Sequence, residues 1–360
     1  MGEYAAAGVD EEREQLALAS AMRPWLEKTR AANPSVRVAS GIGSGHFASV
    51  LHLEGGPSIA LTTDGVGTKI LLAREAGRYE SVGIDCVANN VNDLICVGAD
   101  PVALVDYIAL DAVDERVLGE LARGLFLGAD AAGIAVVGGE IAQVASLLAD
   151  RRSVPGEGPV FDLVGTAVGV LPSGRPVLNG SDVRPGDAVV GVASSGLHSN
   201  GYSLARRALF EKAGRSLDQS LADLLLEPTR VYVAAARALR AADVPVRGIV
   251  HISGGGLLNV LRLAAHVGYL LDSLPPPPPV FELIRDAGDV PLHELYATFN
   301  MGIGLCVVVP PVAVDDALSA IAAAGERGSV IGHVVEGPDR RVELPAVGLV
   351  GRGDAFHPLP

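Results

Sequence analysis

Apolar residues recur at helical spacing across residues 11–30, through Leu16, Ala19, Met22, Trp25 and Leu26, and predict one amphipathic helix. The alternating run Ser58-Ile59-Ala60-Leu61 reads as a strand, and Ile70-Leu71-Leu72-Ala73 as the start of a helix. Residues 83–101 predict a further helix with Val87, Val91, Leu94 and Ile95 on its apolar face. Asn89, Asn90, Asn92 and Asp93 interrupt that helix with side chains of poor helix propensity. Either that face is solvated, or Asn92 and Asp93 point into a site. A strand over 103–110 and a helix over 112–132 follow. Next comes a buried strand over 133–137 that ends in Gly138-Gly139-Glu140, then a loop over 149–160 and a strand over 162–171. Pro172-Ser173-Gly174-Arg175-Pro176 marks a boundary between domains spanning residues 1–172 and 173–360.

The second half predicts strands at 188–193, 248–250 and 302–309, with a final one at 329–336. Helices are expected over 204–213, after Glu227-Pro-Thr-Arg230 as far as Arg240, over 257–265, within 281–300 and over 314–324. The five prolines 275–279 read as a stiff extended spacer. No internal repeat or heptad run is present. The alternation of strands and helices places the chain in the α/β (α+β) class.

Composition narrows the function. A chain of 360 residues exceeds one ordinary core and fits two domains. Its formal charge of −14 argues against a nucleic-acid surface and against an anionic membrane. Cys86, Cys96 and Cys306 have no disulfide or metal spacing, the N-terminus lacks a signal pattern, and no apolar run reaches membrane-spanning length. A cytoplasmic protein is expected, and an acidic protein that handles phosphate should recruit Mg²⁺.

The candidate chemistry lies in loops that follow strands. Thr62-Thr63-Asp64-Gly65-Val66-Gly67-Thr68-Lys69 combines a carboxylate, two glycines and one of only three lysines, but not at P-loop spacing. Gly65 and Gly67 would let backbone N–H groups approach an anion, Asp64 could hold a divalent cation and Lys69 could reach a phosphate. A plain turn with a surface Asp–Lys pair is the alternative. Glu140 is a second acidic candidate, or simply the N-terminal acid of the next helix. Ser194-Ser-Gly-Leu-His-Ser-Asn-Gly-Tyr-Ser203 packs hydroxyls, His198 and Asn200 into one strand-to-helix loop, which is costly for packing and useful for polar binding. His251 precedes the triple glycine Gly254-Gly255-Gly256, which opens a helix and suggests an anion site.

Taken in order, these motifs resemble the phosphoribosylformylglycinamidine cyclo-ligase (aminoimidazole ribonucleotide synthetase) family. The set comprises Tyr4-Ala-Ala-Ala-Gly-Val-Asp10, Asp64-Gly-Val-Gly-Thr-Lys69, Val91-Asn-Asp-Leu94, Gly98-Ala-Asp-Pro101 and Gly138-Gly-Glu140. It continues with Ser195-Gly-Leu-His-Ser-Asn-Gly-Tyr-Ser-Leu204, Glu227-Pro-Thr-Arg230, His251-Ile-Ser-Gly-Gly-Gly256 and Phe299-Asn-Met-Gly302. The resemblance implies a two-domain fold whose N-terminal halves pair into a dimeric β-barrel, with a C-terminal α/β domain and a ligand cleft between the two. It implies ATP bound through Asp64, Gly65, Gly67, Thr68, Lys69, Asn92, Asp93 and Glu140, with Mg²⁺ on Asp64, Asp93 and Glu140. Lys69, His198 and His251 would be catalytic. Ser195, His198, Ser199, Asn200, Gly254, Gly255, Gly256 and Asn300 would bind a ribonucleotide. Bacterial members carry Gly-Gly-Glu-Thr-Ala-Glu-Met-Pro-Gly, whereas Glu140 here is followed by Ile141-Ala142-Gln143. That departure keeps two alternatives open: a paralogue acting on another amide or amidine, and a non-catalytic ATP-binding dimer.

Overall fold

The computed structural model describes residues 13, 16–33, 35, 37–39, 46–148 and 158–359. The Tyr4–Asp10 motif, the glycine-rich residues 40–45 and most of the predicted 149–160 loop lie outside the described residues. The first half begins with a π-helical stretch, Leu18–Met22, that continues as α1 (Arg23–Ala32). β1 (Arg37–Val38), β2 (Ser49–His52), β3 (Ser58–Gly65), α2 (Lys69–Ala76), α3 (Glu80–Cys96) and β4 (Asp100–Leu110) follow. α4 (Glu115–Ala132), β5 (Ala135–Gln143), α5 (Ala145–Leu148) and β6 (Phe161–Val170) complete it. These strands form a six-stranded sheet in the order β1-β2-β3-β6-β4-β5. β6 lies antiparallel between β3 and β4, and β5 runs parallel to β4 at the edge.

α3 and α4 cross at glycines. A Cβ on Gly124 would sit 2.0 Å from the Glu80 carbonyl oxygen, and one on Gly83 would sit 2.5 Å from that of Leu121. The two backbones therefore touch, and α3 is buried along nearly its whole length. Asp114 starts α4 by accepting from the N–H groups of Arg116 and Val117 at 2.9 and 3.1 Å.

The second half contains β7 (Ala188–Ala193), α6 (Tyr202–Arg206, running on as the π-helical Arg207–Lys212), α7 (Gln219–Leu225) and α8 (Val233–Ala241). It continues with β8 (Gly248–His251), a 3₁₀ stretch (Gly256–Arg262), β9 (Gly268–Leu270), α9 (Pro279–Gly288) and α10 (Leu292–Thr298). β10 (Ile303–Val309), α11 (Val314–Ala323), β11 (Gly328–Val335), β12 (Arg341–Leu344), β13 (Leu349–Arg352) and β14 (Ala355–Pro358) end the fold. Its eight-stranded sheet has the order β14-β13-β12-β9-β11-β7-β10-β8, and every residue of β10 is buried.

Several sequence expectations are corrected. β3 continues through Asp64 and Gly65 because both pair with β6, against Gly165 and Val164. β4 begins at Asp100, directly after a turn in which Gly98 has φ +80°. The strand expected to be buried over 133–137 is instead an edge strand, β5, exposed along most of its length, and Glu140 lies in mid-strand. The helix expected over 257–265 is a 3₁₀ stretch. Three strands follow the one expected to be final.

Gly124→Ala should destabilise the protein by about 1–3 kcal/mol, because the added methyl meets backbone that cannot rotate aside. Chemical denaturation reads this directly, and an unchanged midpoint would mean that α3 and α4 separate freely.

Candidate active site

The end of β3 is held from beneath by α3. Asn90 donates to the Asp64 carbonyl at 3.2 Å and Asn89 to the Gly65 carbonyl at 3.5 Å. Asp64 thereby reaches a cleft of about 680 Å³ between the two halves, with Asp93 beside it. The opposite wall carries Asn200, the Ser253-Gly254-Gly255 loop that follows β8, and Asn259 and Arg262 of the 3₁₀ stretch. One Asp64 oxygen accepts the Gly65 N–H at 2.8 Å. Crowding by protein atoms and then the Asp93 charge push the Asp64 carboxyl up to about 6.

Asp93 also touches His251. The two side chains meet at 2.9 Å through His251 Nδ1, and with Asp93 ionised that nitrogen is the donor. In that tautomer Nε2 carries the lone pair whenever the ring is neutral. The His251 backbone is fixed on both sides, its N–H donating to Cys96 Sγ at 3.1 Å and its carbonyl accepting from Asn259 at 3.2 Å.

Lys69 is engaged inside the protein. It is fully buried, and its Nζ lies 2.6 Å from Asp85, 3.0 Å from the His198 carbonyl and 2.8 Å from the Glu227 carbonyl. All three ammonium hydrogens are used inside the protein. Burial pulls the amine below its ordinary value and Asp85 pulls it back. The other Asp85 oxygen accepts both the N–H and the hydroxyl of Thr229 at 2.7 Å. Asn92 completes this junction by donating to the Arg230 carbonyl at 2.8 Å and accepting from the Tyr232 N–H at 2.9 Å. Ser199 joins through Thr229 Oγ1 at 2.9 Å. Lys69, Asn92 and Ser199 therefore tie the halves together and have no polar atom to spare for a ligand.

Other expected site residues also serve the scaffold. His198 is buried at φ +61°, and its Nε2 accepts the Ser195 N–H at 3.3 Å. Burial, then the His251 and Lys69 charges, hold its pKa well below the ordinary value, so the ring is neutral. Ser195 donates to the Pro228 carbonyl at 2.6 Å, and Thr68 pairs with Ser203 at 3.1 Å. Asn300 is buried and bonded to Ser194, to the Gly196 carbonyl and to the Gly302 N–H. Gly256 packs against backbone, where a Cβ would meet the Tyr296 carbonyl oxygen at 2.2 Å. Gly67, at φ +72°, has open space around it.

Glu140 stands apart from the two aspartates. The register places Asp64, Gly165, Asp106 and Gly139 in one row across β3, β6, β4 and β5. Glu140, the residue after Gly139, therefore projects from the opposite face of the sheet, three strands away. Among the described residues no three His, Cys, Asp or Glu side chains stand close enough to hold a metal. Sequence reading missed Ser253, Asn259 and Arg262. Within Asn259-Val260-Leu261-Arg262, an arginine at the end of an apolar helix-like run carries no signal separating it from a solvated surface residue.

Residues 45–171 and 184–345 match the N-terminal and C-terminal domains of AIR synthase related proteins. The chain is 44% identical over 350 residues to the phosphoribosylformylglycinamidine cyclo-ligase of Methanothermobacter thermautotrophicus, covering 95% of this chain and 97% of that one. It is 43% identical over 345 residues to that of Thermococcus gammatolerans, covering 94% and 97%. Among solved structures, tt0281 from Thermus thermophilus shares the fold with a TM-score of 0.60 at 22% identity, over 92% of this chain and 96% of that one.

Lys69→Met should cost about 3–5 kcal/mol of stability by stranding the Asp85 charge. Nucleotide affinity of the folded fraction should be unchanged in equilibrium binding. Lost affinity at unchanged stability would return Lys69 to the ligand.

Proposed function

This chain belongs to the phosphoribosylformylglycinamidine cyclo-ligase family of AIR synthase related proteins, and on that premise we propose how its cleft is used. The activity is that of the family: ATP-dependent closure of formylglycinamidine ribonucleotide to aminoimidazole ribonucleotide, a C–N ligation in purine biosynthesis that releases ADP and phosphate. The observation that carries the site assignment is the meeting of Asp64, Asp93 and the Ser253-Gly254-Gly255 loop around one cleft.

Asp64 and Asp93 would hold Mg²⁺. Two carboxylates completed by phosphate oxygens and water make a donor set this ion accepts. The raised Asp64 carboxyl fits two neighbouring acids that gain from a cation between them. The ion would supply neutralisation of phosphate charge when bound. Glu140 does not join this set within one chain.

The chain's own groups then bind and orient. The glycine loop leaves room for phosphate oxygens against backbone, and Asn200 faces the same space. The substrate's formyl oxygen takes the γ-phosphoryl group of ATP, an amidine-side nitrogen attacks the activated carbon, and phosphate departs. Such chemistry rests on positioning and charge neutralisation. We assign the proton of the attacking nitrogen to His251 Nε2, with Asp93 setting the tautomer. His198, buried and bonded to its own loop, positions residues 195–198.

A second copy would cover the exposed edge strand β5, where Val137 and Ile141 are 66% and 51% exposed. Tyr107 of β4 adds to that surface at 42%. The reading includes a cytoplasmic setting, in keeping with three free, buried cysteines. Among the described residues no helix is long and apolar enough to cross a membrane.

Purified protein with Mg²⁺, ATP and formylglycinamidine ribonucleotide should release phosphate and aminoimidazole product together. Asp64→Asn should lower kcat by about 100-fold or more. ATP binding without imidazole product would overturn the reading and favour another amide or amidine substrate. Because metal binding needs Asp64 ionised, Mg²⁺ affinity should fall about tenfold per pH unit below about pH 6. A flat titration through that window would remove Asp64 from the metal site.

A further inference from the structure

Two arginines line the cleft among the described residues, and only one of them is spoken for. Arg340 gives its N–H groups to the carbonyls of Leu261 and Leu263. Arg262 is exposed and lines the cleft at the end of the 3₁₀ stretch, across from Asp64 and Asp93. Among the described residues no hydrogen bond or ion pair engages its guanidinium, whereas Arg230, Arg237, Arg240 and Arg247 each meet a carboxylate. In a chain of net charge −14, a cleft arginine that shares its walls with Asp64, Asp93, Asp339 and Asp354, yet forms an ion pair with none of them, marks a place for an external anion.

The guanidinium is also braced. Its central carbon lies 4.9 Å from the centroid of the buried Phe47 ring, at cation–π distance. His46 stands perpendicular to Phe47 with ring centroids 5.5 Å apart. Among the described residues neither His46 ring nitrogen makes a well-formed hydrogen bond, though the nearby Asn179 backbone favours the protonated ring slightly. Burial and then the Arg262 charge push the His46 pKa down to about 4, so the neighbouring ring adds no competing positive charge. A guanidinium backed on an aromatic face loses little freedom when its N–H groups close on two oxygens of a phosphate.

We propose that Arg262, backed by Phe47 and edged by His46, is the anchor for a terminal phosphate of a nucleotide held in the cleft. The inference rests on the ring-closure reading and deepens it. Asp64 and Asp93 give the cleft its metal-seeking group and Arg262 an anion-seeking one, near enough that the Arg262 charge pulls down on the Asp64 carboxyl, so one phosphate chain could meet both. The phosphate is either the 5′-phosphate of the ribonucleotide or the terminal group of ATP.

The test compares full-length wild type with Arg262→Met, Arg262→Lys and Phe47→Leu. KM for each nucleotide, kcat, and calorimetric binding of inorganic phosphate are the readouts. Arg262→Met should raise KM for one of the two nucleotides by about 10- to 100-fold, with kcat changed far less, and should weaken phosphate binding in parallel. The nucleotide affected identifies which phosphate is held. Arg262→Lys should retain part of the affinity, and Phe47→Leu should fall between wild type and Arg262→Met. Loss of kcat with both KM values unchanged, or phosphate binding equal in wild type and Arg262→Met, would overturn the proposal. If the wild type closes no imidazole ring, the ring-closure reading fails separately, and phosphate and ATP binding still report on Arg262.

Discussion

The buried contact between Lys69 and Asp85 is the constraint on which the rest of the molecule depends. A lysine with no solvent access is tolerable only when every hydrogen on its nitrogen is taken. Here the takers are a carboxylate of α3 and two carbonyls from the second half, His198 and Glu227. The ammonium therefore ties the two halves together as well as pairing α2 with α3. Asp85 passes the connection to Thr229, and Asn92 repeats it further along α3 through Arg230 and Tyr232. Asp64 and Asp93 belong to one side of this junction and the Ser253–Gly255 loop to the other, so the cleft opens along the seam that the junction closes.

Much of the fold was legible in the sequence because period and turn chemistry agree there. β7, β10, β11 and α11 appear within a residue or so of expectation, since each is an apolar run bounded by glycine or proline. The failures have physical causes. β5 reads as a buried strand because Ala135-Val136-Val137 is apolar, yet among the described residues it stays exposed along most of its length; the pattern encodes burial without naming what buries it. The 3₁₀ stretch reads as a helix because Leu257, Leu258, Leu261 and Arg262 have helical spacing, and the glycines before it tighten the winding. β12 to β14 are only four residues each, too short for alternation alone to reveal them.

The site was legible in location more than in role. Asp64, Asp93, Asn200, Gly254 and Gly255 do converge on a cleft. Lys69, Asn92, Ser199 and Asn300 carry polarity that looks like ligand chemistry and serves internal bonding instead. A sequence displays donors and acceptors but not their partners, and only the fold reveals which are already satisfied. Arg262 shows the converse, a common residue type braced by an aromatic ring but, among the described residues, without a hydrogen-bond or ion-pair partner.

The asparagines of α3 carry a consequence for how this chain comes to fold. A helix with Asn89, Asn90 and Asn92 in succession is weak by itself, and several of the bonds that satisfy its side chains lie far along the chain. Asn92 reaches residue 230 across a separation of 138, Asp85 reaches residue 229 across 144, and Lys69 of the preceding α2 reaches residue 227 across 158. On the ribosome the first sheet can be made in full while its main helix still lacks those partners. Contacts of such range close late because loop entropy must be overcome first. The first half thus settles when residues 227–232 arrive, and maturation of Asp64 and Asp93 into a usable pair is timed by synthesis of the second half.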